Sequence, residues 1–283
     1  MKRIAISGSS GFIGRHLISA LIKESATVVI ELDIEKGFDL LKEDDIKRVP
    51  EFDIIIHLAG RSFVPDSFNN PHDFYYRNIN LTLNILELAR KYNSKVLFFS
   101  SYLYGSPQYL PINEKHPLSP HNPYAQTKLI SEKLCEGYAR DFNVPVIIFR
   151  PFNIYGIGQH PAFLIPQILS QVKTAKVFLD DPKPRRDFIY IDDVVNAVLL
   201  ALKSDVTGLD IFNIGSGKSW SIQEVIQIIR NFYPVNFEVN FSGKERQNEV
   251  MDVVADTTKI HKAFNWHPEV SFEEGIKRII SSQ

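Results

Sequence analysis

The sequence predicts an α/β protein: a doubly wound parallel sheet flanked by helices, with a smaller C-terminal α/β cap. Three observations predict it. Short apolar, β-branched runs alternate with helical patterns through the first half of the 283 residues. Strands apolar on both faces belong to parallel sheets buried on both sides. A glycine-spaced loop, GSSGFIG, lies between the first such run and the first helical pattern. After residue 155 proline-rich connections and shorter elements take over, which marks a second, smaller unit.

Taken in order, RIAIS (3–7) reads as a buried strand. GRHLISALIKES (14–25) reads as a helix with Leu17, Ile18, Leu21 and Ile22 on one side. TVVIELD (27–33), FDIIIHLAG (52–60) and KVLFFSS (95–101) read as further strands, the last two separated by a long helical pattern at 75–93. A helix opening at PYAQTK and the run PVIIFRPFN (145–153) follow. DIFNIGSG (210–217) reads as one more strand returning to the sheet, and helices are expected near 221–232 and 271–281. Right-handed crossovers make this a doubly wound fold. The expected division is a dinucleotide-binding domain over 1–153 with a returning segment near 188–215, and a substrate-binding cap over 154–187 and 216–283.

Composition narrows the function classes. Hydrophobic residues make up 44% of the chain, enough for a large core. A formal net charge of -1 leaves no basic surplus for nucleic-acid phosphates. A single cysteine, Cys135, permits no internal disulfide and fits a reducing, cytoplasmic setting; it reads as a small buried hydrophobe. The opening MKRIAISGSSGFIG breaks into glycines too early for a signal peptide, and no apolar run approaches the roughly 20 residues of a membrane span. The eight histidines are scattered without metal-ligand spacing, so no metal is expected.

The loop GSSGFIG places Gly8, Gly11 and Gly14 where a strand hands over to a helix, with Phe12 and Ile13 in its first turn. That position calls for a tight turn, close approach of backbone to a pyrophosphate, and close helix–strand packing. The helix N-terminus adds unpaired N–H groups and positive dipole charge. Asp33 ends the second strand about 20 residues on, where a carboxylate accepts from the adenosine ribose and repels a 2'-phosphate. This favours NAD over NADP, although Arg15 stands beside the last glycine.

HNPYAQTKLISE (121–132) carries Tyr124 and Lys128 four residues apart. With 11 tyrosines, about one such spacing is expected by chance, so its setting has to carry the argument. Asn122 suits an N-cap and Pro123 a first helical residue, which puts Tyr124 in the first turn with Lys128 on the same face. A phenol of pKa near 10 is a poor base at neutral pH. A nearby ammonium and an oxidised nicotinamide, both positive, would favour the phenolate. The pair would then move a proton on a hydroxyl or carbonyl while hydride moves to or from the cofactor.

In ordered series these segments resemble the extended short-chain dehydrogenase/reductases, specifically the nucleotide-sugar epimerase/dehydratase family. GSSGFIG resembles the family's Gly-x-x-Gly-x-x-Gly loop, and HLAG (57–60) its His-x-Ala-Ala stretch beside the cofactor. FVPDSFNNP and NINLTLNILELA resemble the segments that follow, with Asn80 at the family's structural asparagine. SSYLYG (100–105), PYAQTK and RPFNIYG (150–156) resemble the serine strand end, the catalytic helix and the stretch lining nicotinamide and substrate. RRDFIYIDDVV (185–195), FNIGSG (212–217) and RQNEV (246–250) resemble later nucleotide-sugar segments.

The resemblance implies roles by position. Tyr124 is the expected acid/base, and Lys128 its electrostatic partner and ribose ligand. Ser100 or Ser101 bonds the reacting oxygen; the segment is one residue short, and both remain open. Asp39 and Leu40 contact adenine. Leu58, Ala59, Gly60 and Phe152 line the cofactor, and Asn153 lies near the substrate. Arg186 and Arg246 hold the sugar nucleotide's diphosphate, where planar guanidinium suits paired oxygens. Asn248 replaces a glycine usual in its segment. A homodimer through the catalytic helix is implied, with Ile130, Leu134 and Tyr138 as its apolar face.

Departures narrow the reaction. SSYLYG lacks the Asp-Glu pair of the family's dehydratases, and Tyr102 stands where 3,5-epimerase/reductases place a cysteine. Two enzyme readings remain: an NAD-dependent nucleotide-sugar 4-epimerase with a UDP-hexose-like substrate, and an NAD(P)H-dependent 4-keto-6-deoxy-sugar reductase. A non-catalytic NAD-binding regulator is a third reading from another class.

Overall fold

The computed structural model describes residues 1–24, 26–244 and 249–282. Arg246 and Asn248 therefore lie outside the described residues. Along the chain run β1 (Lys2–Ser7), α1 (Phe12–Leu21), β2 (Thr27–Leu32), α2 (Glu43–Lys47), β3 (Ile54–His57), α3 (Val64–Asn69), α4 (Pro71–Tyr92), β4 (Lys95–Phe99), α5 (Pro123–Phe142) and β5 (Val146–Pro151). Then come β6 (Asn153–Tyr155), α6 (Leu164–Val172), β7 (Lys176–Leu179), β8 (Arg185–Tyr190), α7 (Ile191–Leu202), β9 (Leu209–Ile214), β10 (Ser219–Ser221), α8 (Ile222–Phe232), β11 (Glu238–Phe241), α9 (Thr258–Phe264) and α10 (Phe272–Ser281).

The chain forms two compact units: residues 1–105, 117–151 and 198–212, and residues 106–116, 152–197 and 213–283. Segment 106–116, which the sequence reading leaves in the first domain, belongs to the second. The reason is local bonding. Asn213 donates through its backbone to Glu114 and through its side chain to the Ile112 carbonyl, and Ile112 bridges to Ala255. The stretch that returns to the first unit is 198–212, shorter than the expected 188–215.

Among the described residues the main sheet has six strands in the order β2-β1-β3-β4-β5-β9. The pairings β1–β2, β1–β3, β3–β4 and β4–β5 are parallel; Ile4 faces Val29 and Ile54, and Leu97 faces Ile56 and Ile147. The strand order reverses at β1, which makes its carboxyl end the topological switch point where such sheets bind ligands. The all-apolar runs do what their pattern predicts. Every residue of β3 and β5 is buried. Ile55, Phe98 and Ile148 share one cluster with Ile85, Leu86 and Ala89 of α4. β2, at the sheet edge, is only partly covered.

Helix ends follow the local chemistry. Asn122 accepts from the Ala125 N–H at 2.8 Å, Pro123 takes the first helical place, and Asn143 ends α5 at φ 57. Asn70 and Asn93 bracket α4 in the same way. Capping of this kind fixes where a helix begins, and so where its first-turn side chains stand.

The second unit holds a three-stranded sheet, β10-β8-β6, and a two-stranded pair, β11-β7. Tyr155, Phe188, Phe272 and Trp220 pack as a continuous aromatic column with centroids 5.1–6.1 Å apart. Asp187, fully buried, accepts from Ser216 N and Oγ at 2.7 Å and from Gly217 N and Ala255 N at 3.0 Å. Its carboxylate thereby joins three chain segments. An Asp187→Ala variant should lose at least about 3 kcal/mol of stability, because buried donors are left unpaired; urea unfolding followed by circular dichroism measures it.

Candidate active site

The first unit builds its site at the carboxyl ends of β1, β2, β3 and β4. Gly8 turns the chain out of β1 at φ 74, and a Cβ there would sit 2.8 Å from the Ala59 nitrogen. A Cβ on Gly14 would meet the Gly8 and Ser9 carbonyl oxygens at 2.5 Å. Only glycine lets this loop pack against both the following helix and the end of β3. α1 opens without a side-chain cap and without an acidic residue in its first turn. The N–H groups of Phe12, Ile13 and Gly14 are therefore among those that an α-helix leaves without an intrahelical partner, the kind of group that suits an anion. Beside them the Ser9 and Ser10 hydroxyl oxygens are buried and find no partner among the described residues.

Asp33 stands at the end of β2 with both oxygens fixed: Oδ2 accepts from Ser10 N at 3.2 Å and Oδ1 from Glu35 N at 3.0 Å. It is thus locked against the glycine loop, with lone pairs left for a diol. The cradle, the free helix N-terminus, the unpartnered serines and this carboxylate fit a dinucleotide with an unphosphorylated ribose. Asp39 and Leu40 lie in the turn that leads into α2. Asp39 Oδ1 accepts from Leu41 N at 3.1 Å, and the Leu40 side chain is buried in the core beside Leu32 and Leu86. Those side chains organise the turn into α2.

Leu58, Ala59 and Gly60 continue β3 against the loop. Leu58 N donates to the Ser7 carbonyl at 3.1 Å and Ala59 N to Ser7 Oγ at 3.3 Å. The asparagine that holds this segment is Asn78. Its Oδ1 accepts from Arg61 N at 2.8 Å, and its Nδ2 donates to the Arg61 carbonyl at 3.1 Å and to Thr127 Oγ1 at 2.9 Å. Asn80 lies some 200° round the helix and donates to the Tyr76 carbonyl at its exposed flank. The structural asparagine is therefore two residues earlier than expected, for a periodic reason: Asn78 shares its inward face with Thr82 and Ile85.

Tyr124 and Lys128 rise from the first two turns of α5. The Ser101 hydroxyl hydrogen-bonds the Tyr124 phenol. The Ser100 hydroxyl is buried and meets no partner among the described residues. Of the two serines, Ser101 is the one set against the phenol. Lys128, 7% exposed, donates to the Phe99 carbonyl at 2.7 Å, and its ammonium lies 4.9 Å from the centre of the Phe98 ring. Burial pulls this ammonium down to about 8, opposed by Cys135 and Glu132 further along α5. His57, buried with Nδ1 on Ser7 Oγ at 2.7 Å and Nε2 on Thr82 Oγ1 at 3.2 Å, is held neutral near 3 by burial and by the Lys128 charge. Burial pushes the Tyr124 phenol up to about 12, with Ser101 pulling the other way and Tyr102 adding to the rise. The lysine alone does not make this phenol acidic.

The remaining expected residues belong to the second unit. Phe152 is buried, its N–H on the Ile214 carbonyl at 2.8 Å, and Asn153 Nδ2 donates to the Asp187 carbonyl at 3.1 Å. Arg186 donates to the Val250 carbonyl at 2.7 Å and forms a close ion pair with Glu249. Glu249 was not singled out from the sequence; it presents to Arg186 the kind of charge that a diphosphate would.

Comparison with known proteins gives a consistent result. The model of the NAD dependent epimerase/dehydratase family matches residues 4–215. A GDP-6-deoxy-D-mannose reductase of Pseudomonas aeruginosa is 32% identical, over 99% of this chain and 96% of its own. A UDP-glucose 4-epimerase of Corynebacterium glutamicum is 30% identical, over 94% and 91%. The crystal structure of a UDP-glucuronic acid 4-epimerase from Bacillus cereus, in complex with UDP-glucuronic acid and NAD, aligns with a TM-score of 0.90 at 27% identity, covering 99% of each chain.

Two outcomes check the site. Gly8→Ala should abolish dinucleotide binding, read by fluorescence titration with NADH, because the loop cannot keep its conformation. Lys128→Met should stabilise the protein at pH 7 by roughly 2 kcal/mol. The sign follows from a folded value of about 8 against 10.5 for the ordinary lysine. Below pH 8 both states carry the proton and burial of the charge opposes folding in full. From pH 8 to about 10.5 the unfolded state binds more protons, so wild-type stability rises and the advantage of the variant shrinks. Chemical unfolding across that range measures it; a constant difference would contradict it.

Proposed function

The chain belongs to the NAD dependent epimerase/dehydratase family and is an NAD-dependent enzyme of it, and from that premise we propose that it is a nucleotide-sugar 4-epimerase with a UDP-hexose-like substrate. The observation that carries the reading is the Tyr124 phenol hydrogen-bonded to Ser101, one helical turn from a buried Lys128. Such a set takes a proton from a sugar hydroxyl and returns it. The chemistry NAD supplies when bound is reversible acceptance of hydride from carbon 4. Gly8, Gly11, the first turn of α1 and Asp33 would hold its pyrophosphate and ribose. Lys128 contributes a fixed positive charge that favours the phenolate, and Ser101 orients the reacting oxygen. Tyr102, not a carboxylate, follows Ser101, which speaks against dehydration.

Arg186 supports a diphosphate-bearing substrate. In this reading the phosphates compete with Glu249 for its guanidinium, a planar donor suited to paired oxygens. The reading extends to a cytoplasmic homodimer through α5; Ile130 is exposed on that helix, whereas Leu134 and Tyr138 pack largely against the core. A second reading has one specific support. The 32% identity with a GDP-sugar reductase runs over nearly the whole of both chains. It makes the protein a 4-keto-sugar reductase that consumes NAD(P)H.

Incubation with UDP-, GDP-, CDP- and dTDP-sugars, with and without added NAD, should give interconversion of 4-epimers without net cofactor consumption. Stoichiometric oxidation of NADH or NADPH with a 4-keto sugar would replace this reading by the reductase. Tyr124→Phe should keep NAD binding and lower kcat by roughly 10²–10⁴-fold, as loss of a positioned acid/base does; unchanged turnover would reject the mechanism.

A further inference from the structure

Several buried polar groups outside the reacting set converge on Arg150 of β5. Its side chain is 3% exposed and that of Glu132 only 1%. Arg150 Nε and Nη2 donate to the two Glu132 oxygens at 2.9 and 2.6 Å. Its Nη1 donates to the Tyr104 hydroxyl at 3.1 Å, and the guanidinium lies 5.3 Å from the centre of the Tyr104 ring. Each partner leads to the site. Glu132 stands on α5 one turn beyond Lys128 and two beyond Tyr124, on the same face. Tyr104 belongs to the irregular segment that begins with Ser100 and Ser101. Next to Arg150, the Phe149 carbonyl accepts from Ser100 N at 2.8 Å.

Stability alone is a weak reason for such a pair. A buried ion pair is often matched or bettered by apolar side chains of similar volume. What an apolar pair cannot supply is a fixed fork of donors tying a helix to a loop. Segment 100–105 lies outside the strands and helices, with Ser100 N on the Phe149 carbonyl and the Leu103 carbonyl accepting from Ser119 N at 2.9 Å, yet it must hold Ser101 against Tyr124.

Resting on the catalytic set proposed above, we propose that Arg150 is a positioning residue: through Glu132 and the Tyr104 hydroxyl it sets the distance between Ser101 and the Tyr124–Lys128 face of α5. Two variants test it. Glu132→Met/Arg150→Met removes the pair without leaving a lone charge. Tyr104→Phe keeps the pair and removes only the link to the serine segment. Both should bind NADH and nucleotide sugar with KM close to wild type. In both kcat should fall, by roughly tenfold to a hundredfold for a displacement near 1 Å. A stably folded double variant with wild-type kcat would overturn the proposal. Where the double variant does not fold, Tyr104→Phe decides, and unchanged kcat there overturns it as well.

A readout independent of substrate separates this from the proposed reaction. The Tyr124 ζ-carbon resonance in ¹³C-tyrosine-labelled protein, assigned by its loss in Tyr124→Phe, should move in both variants towards its position in Ser101→Ala. An unmoved resonance overturns the positioning role even if the enzyme is active. A resonance that moves in a protein inactive on every nucleotide sugar supports the role and refutes the reaction instead.

Discussion

The site of the first unit is arranged around one buried ammonium. Lys128 enters the carboxyl edge of the sheet and takes the last carbonyl of β4, that of Phe99, as its hydrogen-bond acceptor. Desolvating a charge is costly, and the neighbourhood is built to tolerate it. His57, close enough to feel the lysine, is neutral and bonded at both nitrogens. Glu132, one turn along, carries the compensating charge but is itself tied by Arg150. A helix shifted by one residue would turn this face by about 100° and withdraw the ammonium. The start of α5 therefore has to be exact, and Asn122 with Pro123 makes it so.

The same edge explains the loop at β1. Strand order reverses there, and the outward turn of Gly8 brings the glycine loop against Ala59. Ser7, the last residue of β1, joins the two arrangements. Its hydroxyl meets His57 and the Ala59 N–H. His57 continues to Thr82, and Thr82 to Ser131 on α5 at 3.1 Å. A continuous buried polar chain thus runs from the end of β1, where the glycine loop begins, to the helix carrying Tyr124. Satisfied networks of this kind rigidify a core, because each member is costly to leave unpaired.

What the sequence made legible was periodic or local. Apolar runs located the six strands of the main sheet to within a few residues, but not the short strands of the second unit, and the Asn-Pro cap fixed the start of α5. Three things were not legible, each for a physical reason. Asn78 rather than Asn80 holds the end of β3; the helical face was the signal that distinguishes them, whereas proximity in sequence was not. The choice between Ser100 and Ser101 depends on how the chain leaves β4, and an irregular segment has no period to read. Segment 106–116 joins the second unit through bonds to Asn213 and Ala255, contacts about a hundred or more residues away in sequence.

The acidity of the phenol also lay beyond the sequence, and it bears on how the site works. Burial drives both partners towards neutrality: Tyr124 up to about 12 and Lys128 down to about 8. In a dry site each charge is unfavourable alone. Burial is the first cause of both directions, for the phenol and for the ammonium alike. On the proposed reading, the further positive charge of a bound oxidised dinucleotide would favour the phenolate, and the glycine loop and Asp33 would hold that dinucleotide. Proton transfer would then be confined to the dinucleotide-bound state, the one in which hydride transfer is also possible.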